Sequence, residues 1–490
     1  MRLLAAALAL TVALLAGASV APAADVGAND DSAKHAADGG AAMYGEMAAL
    51  GLRQTVIGVR FKPSEALVIQ DKRLLDRIIP HAHASGLRVV LAVYPYPPRE
   101  LEAGVGNPTL FASYVAAVAQ VYPEVRQFVI GNEPNQPAFW RPQFTRSGAN
   151  ASAAAFGRYL AAAYDSLKAS DPGLEVVGIG LSPRGNDKPK AKSNISTSPV
   201  RFLRALGVWY RASGRTRPLM DGFSFHPYPN KATDPLERGY GWPNAGFVNL
   251  DRVRQALWDA FDGTPQPTTL NGLRLHLDEV GWQVDTSRHG GYQGKENVPV
   301  TDEVTQAAIY GDLIRRSACD PDVHEVSFFG FRDDGLRTGF QAALQRADGT
   351  PRPAVAAVRA AIAETASGCA EAPRTWSPSD EVLGAEAVLR VTSSGVVEAV
   401  ITAAEEARAT TCVAVATRGL GGSGLRPLRL APRCRSGYAG PGSLVMPLPL
   451  PVGEDVHARV TVELAARSNP RRRTLVEHAD AALRTAGHVR

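Results

Sequence analysis

Cysteine is scarce, with four in 490 residues. None stands at the short spacing that zinc ligands need, so no metal site is expected. An even number suits two disulfides in an exported chain. Of the three pairings possible, Cys319 with Cys369 and Cys412 with Cys434 keeps each bond within one region. Long apolar runs are equally few. Residues 3–15 form one, interrupted by Thr11, and it is too short to span a membrane comfortably. With Arg2 before it and Ala21-Pro22-Ala23 behind, it reads as a secretory signal over residues 1–23. The protein is then secreted, with no membrane anchor after cleavage, and no cysteine lies near the cleavage site to carry a lipid. No glycine-rich phosphate fingerprint follows the first strand, which argues against a nucleotide-binding sheet. Charge of one sign is missing too. The balance of 53 basic and 48 acidic residues leaves +5, either a solvated surface or a modest preference for an anionic polymer.

What the chain does have is alternation. Strand-like apolar runs fall at 25–31, 55–61, 88–94, 128–130, 174–181, 220–225, 273–280 and 325–331. Between and after them, helical periodicity marks 41–52, 74–84, 109–121, 151–169, 200–212, 248–261, 302–317 and 353–365. Eight strands with eight helices is the count for a (β/α)₈ TIM barrel, although alternation alone also fits a doubly wound open sheet. The length calls for one barrel and a smaller second domain. Beyond about Arg374, short alternating runs at 388–391, 396–402, 411–416 and 458–464 lie among glycines and prolines and read as a small β-sandwich. Helical periodicity returns only at 474–485. The expected division is a barrel over 24–370, an accessory sandwich over 375–470 and a basic C-terminal tail over 471–490.

Two strands end alike. Phe128-Val129-Ile130-Gly131 runs into Asn132-Glu133-Pro134-Asn135, where Pro134 stops the ladder. Leu273-Arg274-Leu275-His276-Leu277-Asp278-Glu279 is the second. A lone glutamate at a strand end is most often an ion-pair partner. Two of them, at the carboxyl ends of the fourth and seventh strands, read as carboxylates facing across a barrel mouth, the equipment of a glycosidase.

Asn132-Glu133-Pro134, continued through Phe139-Trp140, resembles the acid/base motif of glycoside hydrolase clan A, nearest in motif to family 39 and family 5-like members. Asp348-Gly349-Thr350-Pro351-Arg352-Pro353-Ala354 is similar to the closing segment of such barrels, and the likeness covers residues 25–366. It implies a retaining β-glycosidase with Glu133 as acid/base and Glu279 as nucleophile, acting on a carbohydrate substrate. Asn132 would bond the sugar 2-hydroxyl, Tyr228 would hold Glu279, and His226 would complete the strand-six pair. Arg60 would keep Glu279 charged, leaving Glu133 with the raised pKa. Tyr94, Trp140 and Trp282 are sugar-stacking or packing residues, and Phe331 is a further substrate contact at the end of strand eight. Three features depart from the clan. Gly131 replaces a tryptophan, Phe329-Gly330-Phe331 replaces a tryptophan platform, and Asp278 adjoins Glu279, where alternation should turn it outward. The resemblance implies no cofactor, no nucleic acid and a monomer. A non-catalytic sugar-binding or cell-envelope protein on the same barrel is the alternative.

Overall fold

In the computed structural model, which describes residues 24–394, 396–419, 426–429, 433–448 and 456–482, eight parallel strands close on themselves in chain order. They are β1 (Asp25–Asn29), β2 (Gln54–Phe61), β3 (Arg88–Pro95), β4 (Gln127–Ile130), β5 (Glu175–Leu181), β6 (Gly222–Phe225), β7 (Arg274–Val280) and β8 (Val323–Phe329). The ring shuts where β1 pairs with β8, from Asp25 beside Glu325 to Asn29 beside Phe329, and that closure excludes the open sheet. The signal read at 1–23 lies outside the described residues. No helix among the described residues is long and apolar enough to cross a membrane.

The strands are apolar throughout because a parallel sheet under a ring of helices is buried on both faces. In β4, Phe128 and Ile130 join the main core, while Val129 belongs with Val56, Val90, Ala92 and Val177 to a separate cluster formed by strand residues alone. Alternation along each strand thus fills both the helix side and the lumen. Toward the strand starts the barrel interior turns polar. Gln54 donates to Ser327 at 3.0 Å and Gln127 to Glu325 at 3.2 Å.

The C-terminal part is a β-sandwich. One sheet runs in the order β14 (Gly442–Leu448), β10 (Val397–Ala403), β9 (Glu386–Val391). The other runs β12 (Arg426–Arg429), β11 (Ala407–Gly419), β15 (Val456–Ala466), β16 (Arg473–Ala482), with β13 (Arg433–Ala439) also on β11. Leu389, Ile401, Val460 and Leu464 lie in its own apolar core. Both cysteine pairs are bonded within their regions, Cys319 with Cys369 and Cys412 with Cys434.

The expected basic tail over 471–490, and the helical reading of 474–485, are corrected here. Arg473–Ala482 is a strand, paired antiparallel with β15 from Ala465 beside Arg473 to His457 beside Ala482. It lies at the end of its sheet, where one face stays in water: Val476 packs on the core while Leu475 is exposed. Arg472 is 1% exposed rather than solvated. It reaches Asp259 at 3.1 Å and Glu405 at 2.6 Å. Asp259 sits on the barrel helix Leu250–Phe261, so Arg472 ties the sandwich to the barrel.

Candidate active site

The turn after β4 sets Glu133. Gly131 has φ +114°, and a Cβ there would stand 2.5 Å from the Ile179 carbonyl and 2.7 Å from the Phe156 ring. No side chain fits there without a shift of the neighbouring backbone. Glu133 itself takes φ +41°, a left-handed conformation uncommon for a residue with a side chain. Its N–H donates to the Gly180 carbonyl at 2.6 Å, so the end of β5 holds the turn in place. Outliers of this kind gather where function fixes the backbone.

Around Glu133 the ends of three more strands converge. His226, just past β6, is buried. Its Nδ1 lies 3.3 Å from Glu133 Oε1 and 3.4 Å from Glu279 Oε2. Those two oxygens can therefore be no further apart than the sum of these distances, roughly 6.7 Å. The Tyr228 hydroxyl donates to Glu279 Oε2 at 3.0 Å, and Asn29 Nδ2, at the end of β1, donates to Glu279 Oε1 at 3.3 Å. Asn132 is half-buried beside Glu133, and its amide makes no hydrogen bond among the described residues.

Burial pushes the Glu279 carboxyl up to about 7. The charges of Glu133 and Asp278 add to the rise, while His226 and the Tyr228 hydroxyl oppose it. For His226, burial disfavours the charged ring, but Glu279, Glu133 and Asp278 outweigh it and raise the imidazole to about 9. Burial and the two glutamates lift Tyr228 well above the usual phenol range, so it remains a donor.

Several expectations change. Burial raises Glu279, the carboxyl expected to stay charged, and Arg60 does not offset it. Arg60 is exposed and stacks over the Tyr96 ring at 5.1 Å; among the described residues it makes no ion pair with Glu279. The cation beside Glu279 is His226. Asp278 does not face outward. It is buried, accepts from Ser224 Oγ and lies 3.6 Å from His226 Nε2. The register of β7 against β8 slips between Leu277 and Val280, and the extra residue lets Asp278 and Glu279 both reach the site.

The aromatic expectations divide. Trp282 is 2% exposed and spends its indole N–H on the Asp234 carbonyl at 2.9 Å. Trp140 is buried edge-on against Phe156 and Tyr159, and Phe331 is 1% exposed. None of the three offers a face to a sugar. Tyr94 is only half-buried, with Phe139 edge-on at 6.2 Å. The aromatic wall of the site was not foreseen. Tyr228 meets Phe329 at 6.1 Å and Phe340 at 5.3 Å, and both phenylalanines are partly exposed. Asn29 was missed as well, although its place at a strand end carried the same signal as Glu133. Phe340 lies in a loop and carried none. Among the described residues no group of His, Cys, Asp or Glu is arranged to hold a metal ion.

No family model matches the chain, and no curated protein matches it. Solved structures to which it is similar include a family 39 glycoside hydrolase from the gut symbiont Bacteroides cellulosilyticus WH2. That match has 15% identity, 84% of this chain and 80% of the other covered, and a TM-score of 0.46. A monomeric beta-xylosidase from Caulobacter crescentus CB15 matches at 14% identity over 91% of this chain and 98% of its own, TM-score 0.46. GH5_18 from Streptomyces cattleya, in complex with GlcNAc, matches at 16% over 72% and 83%, TM-score 0.48.

Proposed function

We propose that the chain is a secreted, retaining β-glycosidase that hydrolyses an oligo- or polysaccharide, with Glu133 as acid/base and Glu279 as nucleophile. One observation carries the reading: a single buried imidazole stands within 3.4 Å of both carboxylates at the barrel mouth. Retention calls for carboxyl groups about 5–5.5 Å apart, whereas inversion needs roughly 6.5–9.5 Å to admit a water. The limit that His226 sets on this oxygen pair admits the retaining spacing and leaves out most of the inverting range. The catalytic domain is the barrel, 24–370. The sandwich, extended beyond 470 to include β16, supports it. Secretion rests on the signal read at 1–23 and on the two disulfides.

The crowded pair holds one proton between them, and in the reactive form it sits on Glu133. In the first step Glu133 gives it to the glycosidic oxygen as a Glu279 oxygen attacks the anomeric carbon. The bond to the leaving sugar breaks and a glycosyl ester forms. In the second step Glu133, now ionised, takes a proton from water. The water attacks the same carbon and releases Glu279. Negative charge passes from Glu279 to Glu133 and back, and His226 touches both, so neither charged state lacks a counter-ion. Asn29 and Tyr228 hold the two Glu279 oxygens. The free Asn132 amide is placed to bond a sugar hydroxyl beside the acid.

Glu279→Ala should abolish turnover of every substrate. Glu133→Ala should slow natural substrates by about 10²–10⁴, the usual size of general-acid help, while sparing aryl glycosides with good leaving groups. Added azide should then release a β-glycosyl azide from Glu133→Ala. A retained azide product from Glu279→Ala would reverse the two roles. Failure of the unaltered protein to release reducing sugar from any glycan would favour a binding protein.

A further inference from the structure

The loops that follow β4 and β5 line an open surface pocket of about 670 Å³. They leave the carboxyl ends of their strands, so the pocket opens on the rim that carries Glu133. Arg146 lines one side, and Lys188 and Lys190 line the other. All three are exposed, and none is in an ion pair among the described residues. The one acidic residue in the lining, Asp187, is occupied elsewhere: its carboxylate is 3.1 Å from Arg201 and accepts from the Ser198 N–H at 2.8 Å.

The walls are tied down. Asp187 N–H donates to the Ser196 carbonyl at 2.9 Å, and the buried Asn135 amide bonds the Ser182 and Thr197 carbonyls at 3.1 and 2.9 Å. Pro189 restricts the backbone between the two lysines. Three cations gathered in a nearly neutral chain repel one another, and an anion entering the pocket relieves that repulsion. A neutral sugar would not.

We propose that this pocket is a distal subsite for a sugar bearing a carboxylate or sulfate group, which makes the substrate an acidic polysaccharide. The proposal rests on the glycosidase reading of the neighbouring site. Its test is therefore a binding measurement on Glu279→Ala protein, which should hold its ligand without cleaving it. Calorimetric titrations would compare a uronate-rich oligosaccharide, its carboxyl-reduced neutral form, a sulfated oligosaccharide and inorganic polyphosphate.

An acidic sugar should bind about tenfold tighter than its neutral counterpart, with the advantage shrinking as salt rises. The uronate and sulfate arms tell which anion is read. Replacing Arg146, Lys188 and Lys190 by alanine together should erase the advantage without moving the melting temperature. Lys188→Arg with Lys190→Arg should keep it. Equal binding of acidic and neutral forms would overturn the proposal. So would an advantage that survives the alanine triple, or polyphosphate binding as tightly as the acidic sugars. An unaltered protein that prefers acidic sugars in binding yet cleaves none would sink the glycosidase reading while supporting the subsite. Cleavage with no acidic preference would do the reverse.

Discussion

Three carboxylates, Glu133, Asp278 and Glu279, share one imidazole, and the pH behaviour of the site follows from that crowding. As the proposed nucleophile Glu279 must be ionised to attack, and burial holds it up to about 7. Turnover at low substrate should therefore fall as pH drops below about 7, an acid limb well above the ordinary carboxylate range. A limb found near 4.5 in a plot of kcat/KM against pH would contradict this. His226, raised to about 9, should lose its charge and its hold on both glutamates above that pH. Asp278→Asn removes one of the charges that raise it, so the alkaline limb should move down.

Stability responds with a definite sign. A folded-state pKa above the unfolded value near 4.3 means that folding favours the protonated glutamate. That contribution is fully present below pH 4 and is lost as pH climbs through 7. At pH 8, Glu279→Gln should stabilise the fold by about 1–3 kcal/mol, an effect absent at pH 4 and readable by urea denaturation. No change at pH 8 would mean that the carboxylate is not strained. The two glutamates and the His226/Tyr228 pair were legible as motif positions in the sequence. The inward turn of Asp278 was not, because it depends on a register slip that no alternation pattern records.

At the scale of elements, the close approach of the β4 and β5 ends holds the turn that carries Glu133. Gly131→Ala combines a positive φ with a carbonyl 2.5 Å from the new Cβ, so it should cost about 2–4 kcal/mol and displace Glu133. A melt shifted by less than a degree or two would show that the turn can relax. The barrel elements were readable because each strand buries two faces and each helix one stripe, which gives clean periods. β16 was not. One face of this strand stays wet, with its own Leu475 pointing to solvent, and its alternation is too thin to outvote a helical spacing of apolar residues. The aromatics defeat sequence reading for another reason. Trp140, Trp282 and Phe331 have rings as suited to packing as to stacking, and only the three-dimensional register decides.

For the molecule as a whole, Arg472 is the buried tie between barrel and sandwich, beside the half-exposed pair of Arg201 with Glu406. Removing it leaves Asp259 and Glu405 buried without their cation, a loss that typically costs about 3–5 kcal/mol. Arg472→Ala should lower the calorimetric transition and broaden it toward two, because the Arg201–Glu406 and Gln255–Ser379 contacts remain. A single transition lowered by under about a degree would place the coupling elsewhere.

The contact between Asn29 and Glu279 joins residues 250 positions apart, across the seam where the first and eighth strands meet. Contacts of such long range form late, because a large loop must close before they reward the chain. During refolding, ellipticity should recover before any capacity to attack a glycoside. Helices and local strand pairs can return while Glu279 still lacks its first-strand partner. Recovered activity would then serve as a clock for the moment the seam shuts.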